Sequence, residues 1–91
     1  MQLIINDKKY EIVKNEKDAI EEEVLKEKIT DYFDEYDYIL GDWAYSKLRL
    51  KGFCDSKNKN YKELNDYKKI DKYILENCAY GCRYFILKKI N

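Results

Sequence analysis

The order of apolar and polar positions changes period several times along the 91 residues, and each change marks an element. Residues 2–6 and 9–13 are short apolar-rich runs of strand formers separated by the turn-prone Asn6-Asp7-Lys8, which predicts a β-hairpin. From Asp18 the apolar residues Ile20, Val24, Leu25, Ile29, Tyr32, Phe33 and Tyr36 fall at steps of three and four. That spacing predicts one amphipathic helix, capped by Asn15 or Asp18. Glu21, Glu22, Glu23 and Glu27 lie on or beside its solvent face, where acids near a helix start suit the dipole.

Tyr38-Ile39-Leu40 begins a strand-prone stretch that Gly41-Asp42 interrupts as a turn. Residues 44–53 then alternate: Lys47, Arg49 and Lys51 point one way, Leu48 and Leu50 the other. Residues 54–60 are polar and read as a loop. Residues 61–78 carry Leu64, Tyr67, Ile70, Ile74 and Cys78 at helical spacing, with Gly81 placed to end the helix in a left-handed conformation. Residues 82–90 read as a last strand, and the run Tyr84 to Leu87 is apolar on both of its faces. The elements follow the order β-β-α-β-β-α-β. This predicts a single small α+β domain over 1–91, with one mainly antiparallel sheet and two helices packed on one face.

Composition narrows the chemistry. Histidine is absent, which removes histidine bases, Ser-His and Cys-His pairs and histidine metal ligands. No phosphate-binding glycine motif occurs. No cofactor is expected. Asp42, or a thiol at Cys78 or Cys82, is the remaining foothold for an enzyme, and neither suggests a substrate. Three cysteines, Cys54, Cys78 and Cys82, are an odd number, which argues for reduced thiols in a cytoplasmic protein rather than a secreted disulfide framework. Cys78 and Cys82 read as buried apolar side chains; a redox pair or part of a metal site are the alternatives. The first residues lack the pattern of a signal peptide, and no apolar run is long enough to cross a membrane.

Net charge is zero but unevenly placed. Residues 1–46 hold six basic and thirteen acidic side chains, residues 47–91 twelve basic and five acidic. The halves either pair with each other in the fold or leave a basic face. Along 43–53 a strand would align Tyr45, Lys47, Arg49, Lys51 and Phe53, with Trp43 on the same side if the strand starts early. Cations flanked by rings are the mixture with which sheet-based modules hold nucleic acid, the rings stacking on bases and the cations meeting phosphates. Arg49 and Arg83 are the only arginines beside sixteen lysines, and a planar guanidinium suits such contacts. The plainer reading is a half-buried strand with a polar outer face.

The segments 36–53 and 76–89 carry a further signal. The Gly41-Asp42-Trp43 unit, the run Leu48-Arg49-Leu50-Lys51-Gly52-Phe53 and the Cys78…Gly81-Cys82 corner resemble the YutD-like family of small proteins from Gram-positive bacteria. The resemblance spans nearly the whole chain. It implies a bacterial cytoplasmic protein with a small α+β fold, and no catalytic residues carry over. Two functions follow from the residues. One is an RNA- or ribosome-associated accessory protein using Trp43, Tyr45, Lys47, Arg49, Lys51, Phe53 and Arg83. The other is a protein-binding adaptor without catalytic activity. A monomer is expected.

Overall fold

A computed structural model describes residues 1–77 and 81–90. Five strands, β1 (Gln2–Ile5), β2 (Lys8–Glu16), β3 (Tyr38–Ala44), β4 (Lys47–Phe53) and β5 (Tyr84–Ile90), form one sheet in the order β1-β2-β5-β3-β4. Every pairing is antiparallel. Two helices, α1 (Glu22–Lys28) and α2 (Ile70–Asn77), complete the expected β-β-α-β-β-α-β order.

Both hairpins close on two-residue turns with positive φ. In the first, Asn6 and Asp7 have φ of 51° and 66°, values that Asn and Asp tolerate well. In the second, Tyr45 and Ser46 have φ of 52° and 63°. The expected strand over 44–53 is therefore split. Tyr45-Ser46 is the hairpin tip, Gly41-Asp42 lies inside β3 rather than in a turn, and Trp43 faces Leu48 across the ladder.

The expected long helix from Asp18 to Tyr36 is also divided. β2 runs on to Glu16, and Asn15 Oδ1 accepts from the Ala19 N–H at 2.8 Å to close the bend that follows. The Asn6 side-chain amide then donates to the carbonyls of Lys26 (2.9 Å) and Ile29 (3.2 Å). The end of α1 is thus satisfied from outside, and Thr30 becomes extended. A 3₁₀ turn, Asp31–Glu35, resumes the apolar spacing and buries Phe33.

The helices lie on opposite faces of the sheet, which corrects the expectation of one shared face. Leu25 and Ile29 pack with Ile39, Leu48, Phe85 and Leu87. Ile70 packs with Tyr38, Leu40, Phe53 and Ile86 on the other side, joined by Tyr67, Tyr73 and Ile74. The physical reason is the two-sided β5: Phe85 and Leu87 need one apolar cover, Ile86 needs another. On the α2 side, Tyr38 stacks on Tyr67 with centroids 3.6 Å apart, and Phe53 meets Tyr73 edge-on at 5.7 Å.

Cys54 is a free and fully buried thiol. Cys82 is disulfide-bonded, so the expectation of reduced thiols fails there. It sits before β5 begins at Tyr84. Cys78 and the end of the second predicted helix lie outside the described residues, as does Tyr80. Gly81 does take the left-handed conformation, at φ +74°.

Candidate functional site

The tip of the β3–β4 hairpin meets the ends of α2 and β5, and the chain's two arginines are both bound there. Asp42 faces Arg49 across the ladder and is only 8% exposed. The Arg49 guanidinium grips its carboxylate with two bonds, Nε to Oδ1 at 3.2 Å and Nη2 to Oδ2. The same Nη2 donates to the Asn77 carbonyl at 3.0 Å, supplying a partner at the end of α2. The carboxylate raises the Arg49 pKa further, first by hydrogen bonding and then by its charge. Arg49 therefore ties β4 to β3 and to α2.

Arg83 works on the α1 side of the sheet. It donates from Nη2 to Glu21 Oε2 (2.9 Å) and the Asp18 carbonyl (2.8 Å), and from Nε to the Lys17 carbonyl (3.3 Å). Its guanidinium lies 5.0 Å from the centre of the Trp43 ring. The Trp43 indole N–H donates to the Ala19 carbonyl at 2.8 Å. Both arginines of the basic half thus pair with acids of the acidic half. A cleft of about 550 Å³ opens beside this corner, lined by Trp43, Tyr45, Arg49, Glu76, Asn77 and Cys82.

The residues expected to form one aromatic-basic face are consequently dispersed. Lys47, Arg49, Lys51 and Phe53 do share the α2 side of β4. Phe53, however, is 1% exposed beneath Tyr73, and Lys51 lies 5.3 Å from the centre of the Tyr73 ring. Trp43 belongs to the opposite side with Leu48, and Arg83 is with it. Tyr45 stands fully exposed at the tip. Lys47 remains exposed, and no ion pair reaches it among the described residues. The ladder partner Asp42 was the available signal: once a turn is placed at Tyr45-Ser46, it stands directly opposite Arg49.

A second feature escaped the sequence reading. β4 is the last strand of the sheet, and its outer edge is only partly covered. Phe53 directs its carbonyl inward, accepting from the Asp37 N–H at 3.0 Å, so Cys54 points outward. Cys54 is indeed paired outward: its N–H donates to the Asn65 carbonyl (2.7 Å), and its carbonyl accepts from the Tyr67 N–H (3.0 Å). Alternation then directs the backbone groups of Leu48, Leu50 and Gly52 outward as well. Among the described residues no backbone or side-chain hydrogen bond outside the ladder reaches these three. A cleft of about 460 Å³ runs along this edge and is lined from both faces of the sheet, by Tyr32, Tyr36 and Leu50 on one side and Leu64 and Tyr73 on the other. Its charged lining residues are Lys51 and Lys62. Leu64 is 86% exposed and Tyr32 64%. The Tyr32 and Tyr36 hydroxyls lie 3.1 Å apart, and that contact with burial pushes the Tyr36 pKa up to about 12.

Among the described residues no three cysteine, aspartate or glutamate side chains gather as a metal site, and no helix is long and apolar enough to cross a membrane. The arrangement is that of a small antiparallel α+β domain with a helix on each face, whose ionisable groups at the hairpin corner hold the fold together. A family model described as "Putative antitoxin YutD-like" matches residues 4–88, and the chain belongs to that family. It is 43% identical over 88 residues to a Bacillus subtilis (strain 168) protein named "Putative antitoxin YutD", with 97% of each chain covered. A solution NMR structure of the B. subtilis yutD protein matches with a TM-score of 0.79 and 42% identity, covering all of this chain and 83% of that one.

Proposed function

We propose that this chain is a non-catalytic protein-binding module that acts by occupying a surface of a partner protein. The observation that carries the reading is the group of large apolar side chains left in water on a domain this small. Tyr32 and Leu64 line the β4 cleft with Tyr36, Leu50 and Tyr73. Isolated exposed apolar residues need no explanation, but a group bordering a cleft marks a contact surface. The name of the B. subtilis relative, "Putative antitoxin YutD", agrees with a role exerted through a partner. The adaptor reading of the sequence is thereby preferred over the RNA- or ribosome-associated one. Of the former aromatic-basic face, Arg49 and Arg83 are paired with acids and Phe53 is buried, which leaves Lys47, Lys51 and Tyr45 for RNA contact. The cytoplasm is the compartment proposed for this activity.

The test is a tagged chain recovered from bacterial extract with and without nuclease. A stoichiometric protein complex that survives nuclease is expected. An association dissolved by nuclease would overturn the reading. So would labelled single-stranded RNA whose binding weakens steeply between about 50 and 200 mM salt, since that slope counts neutralised phosphates.

A further inference from the structure

The free edge of β4 says how such a partner is held. We propose that it receives an extended, acidic segment of the partner protein as a sixth strand, an assignment that rests on the protein-binding reading above. Three observations lead there. The first is the backbone. Leu48 and Leu50 direct N–H and C=O groups away from β3, while Gly52 is already buried beneath Tyr36, and an edge of this kind is a template for another strand. The second is that the chain already uses this edge. Asn65–Tyr67 bonds Cys54 in a short parallel bridge, and the unpaired stretch continues from that point toward the hairpin tip. An incoming strand would continue along a line the fold has begun.

The third observation is the cleft and its charge. Side chains of an added strand alternate between the two faces of the sheet. The cleft offers Tyr32, Tyr36 and Leu50 to those pointing one way, and Leu64 and Tyr73 to those pointing the other. Lys51 and Lys62 are its charged residues, and Lys47 stands at the other end of the strand. Among the described residues none of these three lysines forms an ion pair. Alternating apolar residues interspersed with aspartate or glutamate therefore match the edge, and a basic segment does not. Edge strands are commonly guarded by lysines against indiscriminate pairing, and here the same lysines select for acidic sequence.

The experiment selects random dodecapeptides displayed on phage against the immobilised protein, then follows a chosen peptide by amide NMR. Selected sequences are expected to be acidic and alternating. Their binding is expected to protect the amides of Leu48 and Leu50 from exchange. Lys47→Glu with Lys62→Glu is expected to weaken binding by about tenfold or more. Leu50→Pro removes one outward donor at a position where an edge strand tolerates proline, and it is expected to abolish binding. The charge reversals keep the test valid if that variant does not fold. An empty selection, peptides indifferent to the charge reversals, or protection elsewhere would overturn the proposal. A nuclease-resistant complex surviving alongside such a result would leave the protein-binding reading standing with a different surface. Sedimentation showing a dimer that Leu50→Pro dissolves would assign the edge to a second copy and overturn the acidic segment. Competition of the peptide by single-stranded RNA at the same lysines would overturn both readings.

Discussion

Arg49→Met is the substitution that separates a structural arginine from a ligand-binding one. The Asp42 carboxylate is largely removed from water, and Arg49 holds both of its oxygens. Removing one partner of a buried pair costs about 3–5 kcal/mol, because a buried charge is left uncompensated. The Arg49 side chain is 50% exposed, so water reaches the pair and the cost is lower, about 2 kcal/mol. The lost bond to the Asn77 carbonyl acts in the same direction. Asp42→Asn is milder, about 1 kcal/mol, since a half-exposed guanidinium can turn to solvent. The double variant should be less destabilised than the sum of the two by about 1 kcal/mol, the signature of a direct interaction. Urea unfolding followed by circular dichroism measures all three. For a domain of this size a loss of about 2 kcal/mol lowers Tm by about 8–16 °C. An unchanged midpoint for Arg49→Met, with additive effects in the pair, would mean that Arg49 does not hold this corner. Arg49 would then be free to meet an anion, and the nucleic-acid reading of this face would recover.

A Cβ at position 41 would stand 2.1 Å from Phe85 Cζ, so Gly41→Ala should destabilise by about 1–3 kcal/mol, with partial recovery on adding Phe85→Leu; thermal unfolding of the single and double variants decides it. Burial raises the pKa of the Cys54 thiol, so a thiol reagent should label it slowly in the folded protein and rapidly in urea. Burial raises the pKa of Tyr10, Tyr38 and Tyr67, while the contact with Tyr32 raises that of Tyr36, all above the ordinary value of 10.0. The folded state thus holds these protons more tightly, and stability is complete below pH 10 and falls as pH rises through the folded pKa values, which urea midpoints on either side of pH 10 would show.

The parts of the fold legible in the sequence were those with local causes. Asn6-Asp7 announces a hairpin because both residues accept positive φ, and the two-sided apolar run Tyr84–Leu87 announces a central strand. Its consequence, a cover on each face, was available in the same run. The hairpin tip at Tyr45-Ser46 was not legible, because neither residue advertises a left-handed turn and the alternation of Lys47, Arg49 and Lys51 extends smoothly back to Tyr45. Misplacing that turn hid the Asp42–Arg49 pairing and kept Trp43 on the wrong side. The break in the long helix depends on Asn6, some twenty residues away, donating to Lys26 and Ile29. No reading of residues 18–36 alone contains that contact. The YutD-like family was legible from whole segments, although the free edge of β4 was not, since it is set by strand order rather than by any residue in β4.

Strand order also governs how the protein comes into being on the ribosome. β5 is the last strand to emerge, yet it lies between β2 and β3 and is the piece that joins the two hairpins. Until it arrives, the nascent chain is two separate ribbons, each with an unsatisfied inner edge and half of a core. Isolated hairpins are marginal in water, so the sheet forms only once β5 is available. A chain cut short before Tyr84 lacks the strand that joins the two hairpins and leaves both inner edges and both apolar faces incomplete.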